Sequence, residues 1–213
     1  LFAMIKKTTQ ENPNKILSAY KDNLAFAQGP VVEQFAPADQ STSDWFRVKD
    51  IESVISLKAE THNFPTTVEP FNGAATGTGG EIRDRMGGGV GSWPIAGTAF
   101  YMTAYPRLDG GRDWESILPV REWLYQTPEQ ILIKASNGAS DFGNKFGQPL
   151  ICGSVLTFEH QERPGDASAT PQPKYAYDKV IMLAGGVGYG TKRDCLKKEP
   201  QKGNKIVVVG GDN

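Results

Sequence analysis

The apolar positions of this chain follow two spacings, one typical of strands and one typical of helices. Stretches rich in β-branched and aromatic residues, with turn residues close by, predict strands at 54–59, 97–105, 150–158, 180–184 and 205–209. Helical spacing predicts helices around 79–86 and 129–146, and another at the start, over the apolar residues Leu1, Phe2, Met4 and Ile5. Strands interleaved with helices indicate an α/β or α+β layered domain.

The stretch from Asn12 to Gly29-Pro30 also predicts a helix. Asn12 is a good capping residue, Pro13 suits the first turn, and one face would carry the apolar residues Ile16, Leu17, Tyr20 and Leu24. The polar stretch 34–50 is then expected to be a surface connection. The stretches 109–113 and 161–174 are expected to be surface loops.

Composition excludes several classes of function. The chain has 213 residues, 38% of them apolar, which is enough for a sizeable core. Its 23 basic and 24 acidic residues nearly cancel, so no nucleic-acid partner is expected. The two cysteines, Cys152 and Cys195, have no neighbours at metal-ligand spacing. No apolar run reaches the roughly 18 residues of a membrane helix. We therefore expect a cytoplasmic protein without a membrane partner.

Both ends of the sequence are expected to be internal to a longer chain. The first residue already lies within an apolar helical pattern, and no capping residue precedes it. The buried-strand pattern at 205–209 stops just as its turn begins.

The densest chemical signal begins where the strand 54–59 ends. Four residues that carry charge or hydrogen-bonding groups follow within six positions: Lys58, Glu60, His62 and Asn63. The next segment, 73–80, is half glycine, so its backbone amides could approach a polyphosphate closely, with the N-terminus of the next helix adding further amides. It is not a P-loop, because the Gly-Lys-Ser/Thr ending is absent. The alternative is a tight connection between packed elements.

Metal and acid–base candidates lie in the same region. Asp84 and Glu69 could hold Mg²⁺ through hard oxygen ligands, although Asp84 could instead form a salt bridge with a neighbouring arginine. His62 is the better candidate for a functional imidazole, although it could merely cap a strand end, and His160 is expected on the surface. No Ser or Cys pairs with a base, and Cys152 is expected to be a buried strand cysteine.

These motifs resemble a known family. The run Lys-Ala-Glu-Thr-His-Asn-Phe-Pro from Lys58, with Gly-Ala-Ala-Thr-Gly-Thr-Gly-Gly-Glu-Ile-Arg-Asp from Gly73, is similar to the large, single-chain phosphoribosylformylglycinamidine synthases. The segments 17–23 (Leu-Ser-Ala-Tyr-Lys-Asp-Asn), 144–149 and 181–188 resemble the same family in the same order. The resemblance spans nearly the whole chain.

The resemblance implies an activity and its partners. Such an enzyme is a ligase that converts formylglycinamide ribonucleotide, ATP and glutamine into formylglycinamidine ribonucleotide. ATP activates the formamide oxygen as an iminophosphate, and ammonia from a glutaminase domain displaces the phosphate. This sequence has no Cys-His-Glu glutaminase set, so the glutaminase domain of the same parent chain would be a partner. The isolated chain is then expected not to use glutamine, and to be inactive.

The resemblance also implies a fold and a domain division. The fold would be like that of aminoimidazole ribonucleotide synthetase, with a mixed sheet packed by helices. The ATP-binding domain would span 1–200, with 1–50 as a helical and linker lead-in, and 201–213 would be the first strand of a following α/β domain. The sheet would pair with a copy of itself, real or pseudo-symmetric, so self-association is expected.

The resemblance also implies site residues, at the positions of this sequence that match the family's motifs. His62 would act in the synthetase centre, supported by Lys58, Glu60 and Asn63, and Asp84 would help to hold Mg²⁺. The ATP-binding stretch would comprise Gly73, Ala74, Ala75, Thr76, Gly77, Thr78, Gly79, Gly80, Glu81, Ile82, Arg83 and Asp84, and a further nucleotide contact would comprise Cys152, Gly153 and Ser154. Phe64 stands where many relatives have a second histidine, which argues against a paired-histidine role there.

Two other interpretations stay open. The chain could belong to another enzyme of the same ATP-binding superfamily, such as aminoimidazole ribonucleotide synthetase, but the long N-terminal part and the Ser-Ala-Tyr-Lys-Asp-Asn run argue against it. It could also be a non-catalytic nucleotide-binding or scaffold domain, although the presence of His62 and Asp84 argues against this.

Overall fold

The structure is a computed structural model that describes residues 1–37, 42–116, 126–162, 172–177 and 179–211. Its α-helices are α1 (Phe2–Glu11), α2 (Phe64–Val68), α3 (Pro70–Met86) and α4 (Pro128–Phe146). Its strands are β1 (Ile16–Ser18), β2 (Ala25–Pro37), β3 (Phe46–Thr61), β4 (Trp93–Thr103), β5 (Leu150–Thr157), β6 (Glu159–Gln161), β7 (Lys174–Ala176) and β8 (Ile181–Thr191). Short 3₁₀ turns occupy Leu108–Gly110, Asp113–Ser116 and Lys192–Asp194.

Six of the strands form one mixed sheet in the order β1-β2-β3-β8-β4-β5. The pair β4–β5 is parallel, and the other neighbouring pairs are antiparallel. β6 and β7 form a separate two-stranded ribbon. The prediction of an α/β fold with a mixed sheet packed by helices is therefore confirmed.

α3 and α4 cover one face of this sheet. The core between them is built from the buried residues Ala74, Ala99, Tyr101, Ile131, Ala135, Ala139, Val180, Met182 and Ala184. Because side chains alternate along a strand, the odd-numbered residues of β8 point away from the helices. On that opposite face, the side chains of Ile55, Leu57 and Val187 are 40%, 39% and 37% exposed. Within the described residues, this apolar face of the sheet is left uncovered.

α4 forms where local signals predicted it. Thr127 and Gln130 make a reciprocal capping box at its start, with Pro128 in the first turn. Gly147 ends the helix in the left-handed conformation, at φ 101°. The prediction over 129–146 is confirmed, and α1 confirms the helix expected at the start of the chain. Within the described residues, no helix combines the length and the apolar character needed to cross a bilayer.

The predicted strands 54–59, 97–105, 150–158 and 180–184 coincide with β3, β4, β5 and β8. The predicted strand at 205–209 is wrong. Ile206 is 95% exposed and Val209 94% exposed, and the segment has no ladder partner in the described part of the chain. A strand pattern without a neighbouring strand has no hydrogen-bonding partner for its backbone.

The helix expected from Asn12 to Gly29 is also wrong, since the segment forms β1 and β2. Phe26 and Leu24 bury their side chains beside Val54 of β3, and this long-range burial outweighs the local helical spacing. The stretch 34–50 is not a simple polar connection either. It continues β2 to Pro37 and begins β3 at Phe46, so 1–50 is not a helical and linker lead-in. The predicted loop at 161–174 lies mostly outside the described residues.

Candidate functional site

A polar seam runs between β3 and α3. Lys58 and Glu60 lie on β3 and His62 directly follows it, at alternate positions, so their side chains share the face that α3 covers. The Lys58 Nζ atom lies 2.7 Å from Oδ2 of Asp84 on α3 and 3.1 Å from Oε2 of Glu60. Burial alone would lower the pKa of Lys58, but hydrogen bonds and charge attraction from the two carboxylates raise it above its ordinary value. The seam thus brings together one ammonium group and two carboxylates.

His62 lies further along the same seam, where β3 ends. Its backbone N–H donates to the carbonyl of Met182, at 3.0 Å. The Asn63 Oδ1 atom accepts from the backbone N–H of Met182, at 3.1 Å, so Asn63 extends the contact between β3 and β8. The buried hydroxyl of Thr66 lies 3.5 Å from His62 Nδ1. The structure therefore places Lys58, Glu60 and His62 on one seam, whereas the Asn63 amide serves the sheet.

The glycine-rich segment is not a turn. Residues 73–80 lie inside the helix α3, where backbone amides donate to carbonyls of the preceding turn. A cradle of free amides at this place is therefore a wrong prediction, and the alternative of close packing holds. A Cβ at Gly73 would lie 2.5 Å from the backbone of Pro65, and one at Gly79 would lie 2.8 Å from Phe142 of α4.

Burial divides the predicted ATP-binding stretch into two faces of α3. The buried face comprises Gly73, Ala74, Gly77, Thr78, Gly79, Glu81 and Ile82, and these residues pack against the sheet, α2 and α4. The half-buried or exposed residues are Ala75, Thr76, Gly80, Arg83 and Asp84. Only this second group could touch a ligand without rearrangement of the helix. Whether it binds nucleotide stays a prediction.

Glu81 belongs to a fully buried polar cluster rather than to the seam. Both Glu81 and Arg85 have side chains with 0% exposure, and the Arg85 Nε–H donates to Glu81 Oε2 at 2.8 Å. The Gln148 amide donates to Glu81 Oε1 at 2.6 Å and accepts from Arg85, which also donates to the Val187 carbonyl. This cluster fastens α3 to β8 and to the segment after α4.

The proposed Mg²⁺ pair of Asp84 and Glu69 is wrong. Glu69 precedes α3 and Asp84 lies near its end, 15 positions later. At 1.5 Å per residue they are about 22 Å apart, too far to share one ion. Asp84 pairs with Lys58, not with a neighbouring arginine. Within the described ranges, no group of three or more His, Cys, Asp or Glu side chains could hold a metal.

Cys152, Gly153 and Ser154 lie on the edge strand β5, away from the seam. The register places Cys152 beside Thr98, Gly185 and Ala59 across four strands. Three strand spacings separate it from β3 by about 14 Å. Cys152 is exposed, so the expectation of a buried cysteine is wrong. His160 is exposed, as predicted, and its ring stacks between those of Phe158 and Tyr175.

Three residues near the seam were missed from sequence as site residues: Asp22, Asn23 and Thr66. The Asn23 Nδ2 atom lies 3.4 Å from Asp84 Oδ1. Asp22 Oδ2 accepts from the backbone N–H of Gly89, at 2.9 Å. The only signal for Asp22 and Asn23 was the Tyr-Lys-Asp-Asn run that contains them. Nothing in the local pattern of that run indicates that it lies beside α3. No local pattern in the sequence pointed to Thr66.

The comparisons with known proteins agree with the resemblance seen in the motifs. No protein-family model matches the sequence. The chain is 36% identical, over 216 aligned residues and 99% of its length, to phosphoribosylformylglycinamidine synthase of Dictyostelium discoideum. The resemblance is thus confirmed along the chain, which spans 15% of the length of that relative.

Solved structures are similar over parts of the chain. T. maritima PurL complexed with AMPPCP covers 66% of this chain at 24% identity and a TM-score of 0.39, and the match spans 17% of that protein. AaThiL complexed with AMPPCP and TMP covers 89% of this chain at 11% identity and a TM-score of 0.45, over 42% of its own length.

Proposed function

We propose that this chain is the first ATP-binding part of the synthetase region of a phosphoribosylformylglycinamidine synthase. The full-length protein would use ATP to activate the formamide oxygen of formylglycinamide ribonucleotide, and ammonia would then displace the phosphate. Support comes from the 36% identity along 99% of the chain. The observation that carries the proposal is the seam, where Lys58, Glu60 and Asp84 meet from two elements beside His62.

The exposed stripe of α3 is the part of the predicted ATP-binding stretch that can reach a ligand. Thr76, Gly80 and Arg83 follow one another at helical spacing and lie beside Asp84. The Arg83 guanidinium suits a phosphate group, because its planar fork matches two phosphate oxygens. ATP or the ribonucleotide phosphate would therefore be bound by side chains, and the helix amides would take no part.

Magnesium fits the pair Glu60 and Asp84, and this pair replaces Glu69 in the proposal. Both carboxylates already hold one cation between them, the Lys58 ammonium. One or two carboxylates together with phosphate oxygens are the ligands that Mg²⁺ takes in phosphate-handling sites. A bound Mg²⁺ would offset phosphate charge, and Lys58 would move aside or turn to the phosphates.

Substitutions of the two acidic residues test the metal proposal. In the full-length protein, Asp84→Asn is expected to raise the Mg²⁺ concentration for half-maximal synthesis at least tenfold, a loss of about 1.4 kcal/mol. Glu69→Gln is the matched control and should leave this Mg²⁺ concentration unchanged, because Glu69 lies about 22 Å from Asp84. Equal effects of the two substitutions would contradict the assignment.

Histidine substitutions test the catalytic proposal. General acid–base groups contribute roughly 10²- to 10⁴-fold, so His62→Ala should lower ammonia-dependent synthesis by at least about a hundredfold. Protection of the protein by Mg²⁺-AMPPCP against heat should survive. His160→Ala is the control, since His160 lies exposed on β6. Turnover unchanged by His62→Ala would remove His62 from the mechanism.

Two partners complete the proposal. Ammonia would come from a glutaminase domain of the same parent chain, because this sequence has no Cys-His-Glu set. The uncovered sheet face around Leu57 would pair with a second copy or a pseudo-symmetric half. Sedimentation of the 213-residue chain should show an oligomer that Leu57→Lys dissociates. Ile133→Lys, at an exposed position on α4, should leave the oligomer intact. A monomeric wild-type chain would refute pairing with a second copy.

A further inference from the structure

The Thr66 hydroxyl lies in contact with the one imidazole of the seam. Thr66 is fully buried on α2, and its Oγ1 lies 2.5 Å from the His62 carbonyl oxygen, 3.5 Å from His62 Nδ1 and 3.6 Å from Met182 Sδ. A hydroxyl has a single proton to donate and two lone pairs that can accept. The carbonyl oxygen is much nearer to the hydroxyl than the ring nitrogen is, and it is a far stronger acceptor than the thioether. The hydroxyl proton therefore goes to the His62 carbonyl.

This arrangement decides which ring nitrogen can carry the proton of a neutral imidazole. Since the Thr66 hydroxyl donates its one hydrogen bond to the carbonyl, it can only accept a hydrogen bond from His62 Nδ1. Its lone pair thus favours the tautomer with hydrogen on Nδ1 and a free lone pair on Nε2.

The packing of α3 limits movement of the ring. A Cβ at Gly77 would lie 2.9 Å from His62 Cβ and 3.3 Å from His62 Cγ, so the helix backbone abuts the base of the imidazole. The backbone of His62 is fixed in turn by its hydrogen bond to Met182, at 3.0 Å.

We propose that Thr66 is a positioning residue that fixes His62 as the Nδ1–H tautomer. The functional part of this inference rests on the proposed role of His62 in synthesis. The Nε2 atom is then the one that accepts a proton or a hydrogen bond from the reacting groups. A histidine without this partner would place its proton on either nitrogen.

Nitrogen NMR of the chain tests the tautomer directly. The sequence has two histidines, so ¹⁵N-histidine labelling gives two imidazoles, with His160 as internal reference. Long-range proton–nitrogen correlations, recorded at a pH where the ring nitrogens show the chemical shifts of a neutral imidazole, distinguish the two tautomers. His62 is expected to be predominantly Nδ1–H. A predominantly Nε2–H ring in the wild type would overturn the proposal, whatever any variant does.

Two variants separate the effect of the hydroxyl from that of packing, because valine keeps the shape of threonine and serine keeps its hydroxyl. Thr66→Val removes the hydroxyl and should shift His62 towards Nε2–H, while Thr66→Ser should keep the wild-type tautomer. The resonances of His160 should not move in either variant. An unchanged His62 tautomer in folded Thr66→Val would refute the positioning role.

Kinetics of the full-length protein then show whether the tautomer matters for synthesis. Thr66→Val should lower kcat roughly two- to tenfold, which corresponds to the free energy of one hydrogen bond, and should leave KM for ATP unchanged. Thr66→Ser should retain most of the wild-type kcat. If the tautomer shifts as expected but His62→Ala leaves turnover unchanged, the proposed role of His62 in synthesis fails and the positioning role of Thr66 stands. If His62→Ala abolishes turnover and Thr66→Val changes neither tautomer nor kcat, the positioning role fails alone.

Discussion

Glu81→Ala is expected to destabilise the fold strongly, because it leaves the Arg85 guanidinium buried without its carboxylate. Both side chains have 0% exposure, and Gln148 would lose its acceptor at the same time. Removing one partner of a buried ion pair costs about 3–5 kcal/mol. A domain has only about 5–15 kcal/mol of stability in total, so the loss would be a large fraction of it.

The matched control is the exposed pair Asp141–Lys145 on α4, which has the same i, i+4 spacing. Its side chains are 38% and 77% exposed, and its oxygen and nitrogen atoms are 2.8 Å apart. Exposed helix pairs of this kind contribute about 0.3–0.5 kcal/mol. Asp141→Ala should therefore change stability about a tenth as much as Glu81→Ala.

Urea unfolding followed by far-ultraviolet circular dichroism measures the difference. With a urea slope near 2 kcal/mol per molar, Glu81→Ala should lower the midpoint by about 1.5–2.5 M and Asp141→Ala by about 0.2 M. Glu81→Gln, which keeps one acceptor for Arg85, should fall between them and stay measurable if Glu81→Ala does not fold. Equal midpoints for Glu81→Ala and Asp141→Ala would refute the structural role and return Glu81 to the nucleotide-binding group.

Two further predictions follow from contacts near the seam. Gly77→Ala should cost about 1–3 kcal/mol in urea unfolding, because its Cβ would lie 2.9 Å from His62 Cβ, whereas Gly80→Ala, with no atom nearer than 3.8 Å, should stabilise α3 by roughly 0.5–1 kcal/mol. Equal costs would contradict the packing argument. Burial raises the Asp22 pKa, but the amides of Gly89 and Asn23 and the Lys197 ammonium outweigh it and lower the pKa below 3.8. The stability from Asp22 is therefore present above that pH and lost below it, and Asp22→Asn should flatten the acid limb of a stability profile.

The sequence predicted those elements whose signals are local. α4 has a capping box, a proline at its start and a left-handed glycine at its end, all readable within its own segment. β4 and β5 are rich in β-branched and aromatic residues, and they formed where expected. β2 failed because its local helical spacing competes with the burial of Phe26 beside Val54, a contact that depends on a strand far along the chain.

α3 was predicted only in its C-terminal part, around 79–86, and its glycine-rich first part was missed for a different reason. Four glycines in eight positions predict a turn, since each glycine costs about 1 kcal/mol in a helix. The helix forms because those glycines let it approach Pro65, His62 and Phe142 more closely than any other residue would. The site was predicted as a list of residues but not as an arrangement, because the Lys58–Asp84 contact exists only once α3 lies beside β3.

The packing of α3 also determines what kind of binding the seam can perform. Gly77 abuts His62 on one side, and Gly79 abuts Phe142 of α4 on the other, so the helix has little freedom to shift. The backbone of Asp84 is therefore held in a fixed position beside the β3 residues Glu60 and Lys58, and packed elements of this kind position charged groups more accurately than loops do. A site of this kind recognises charge through side chains on a rigid helix and strand. A loop of free amides would adapt to many phosphates, whereas a rigid seam would select, among the ligands proposed above, those whose cation and phosphate fit its spacing.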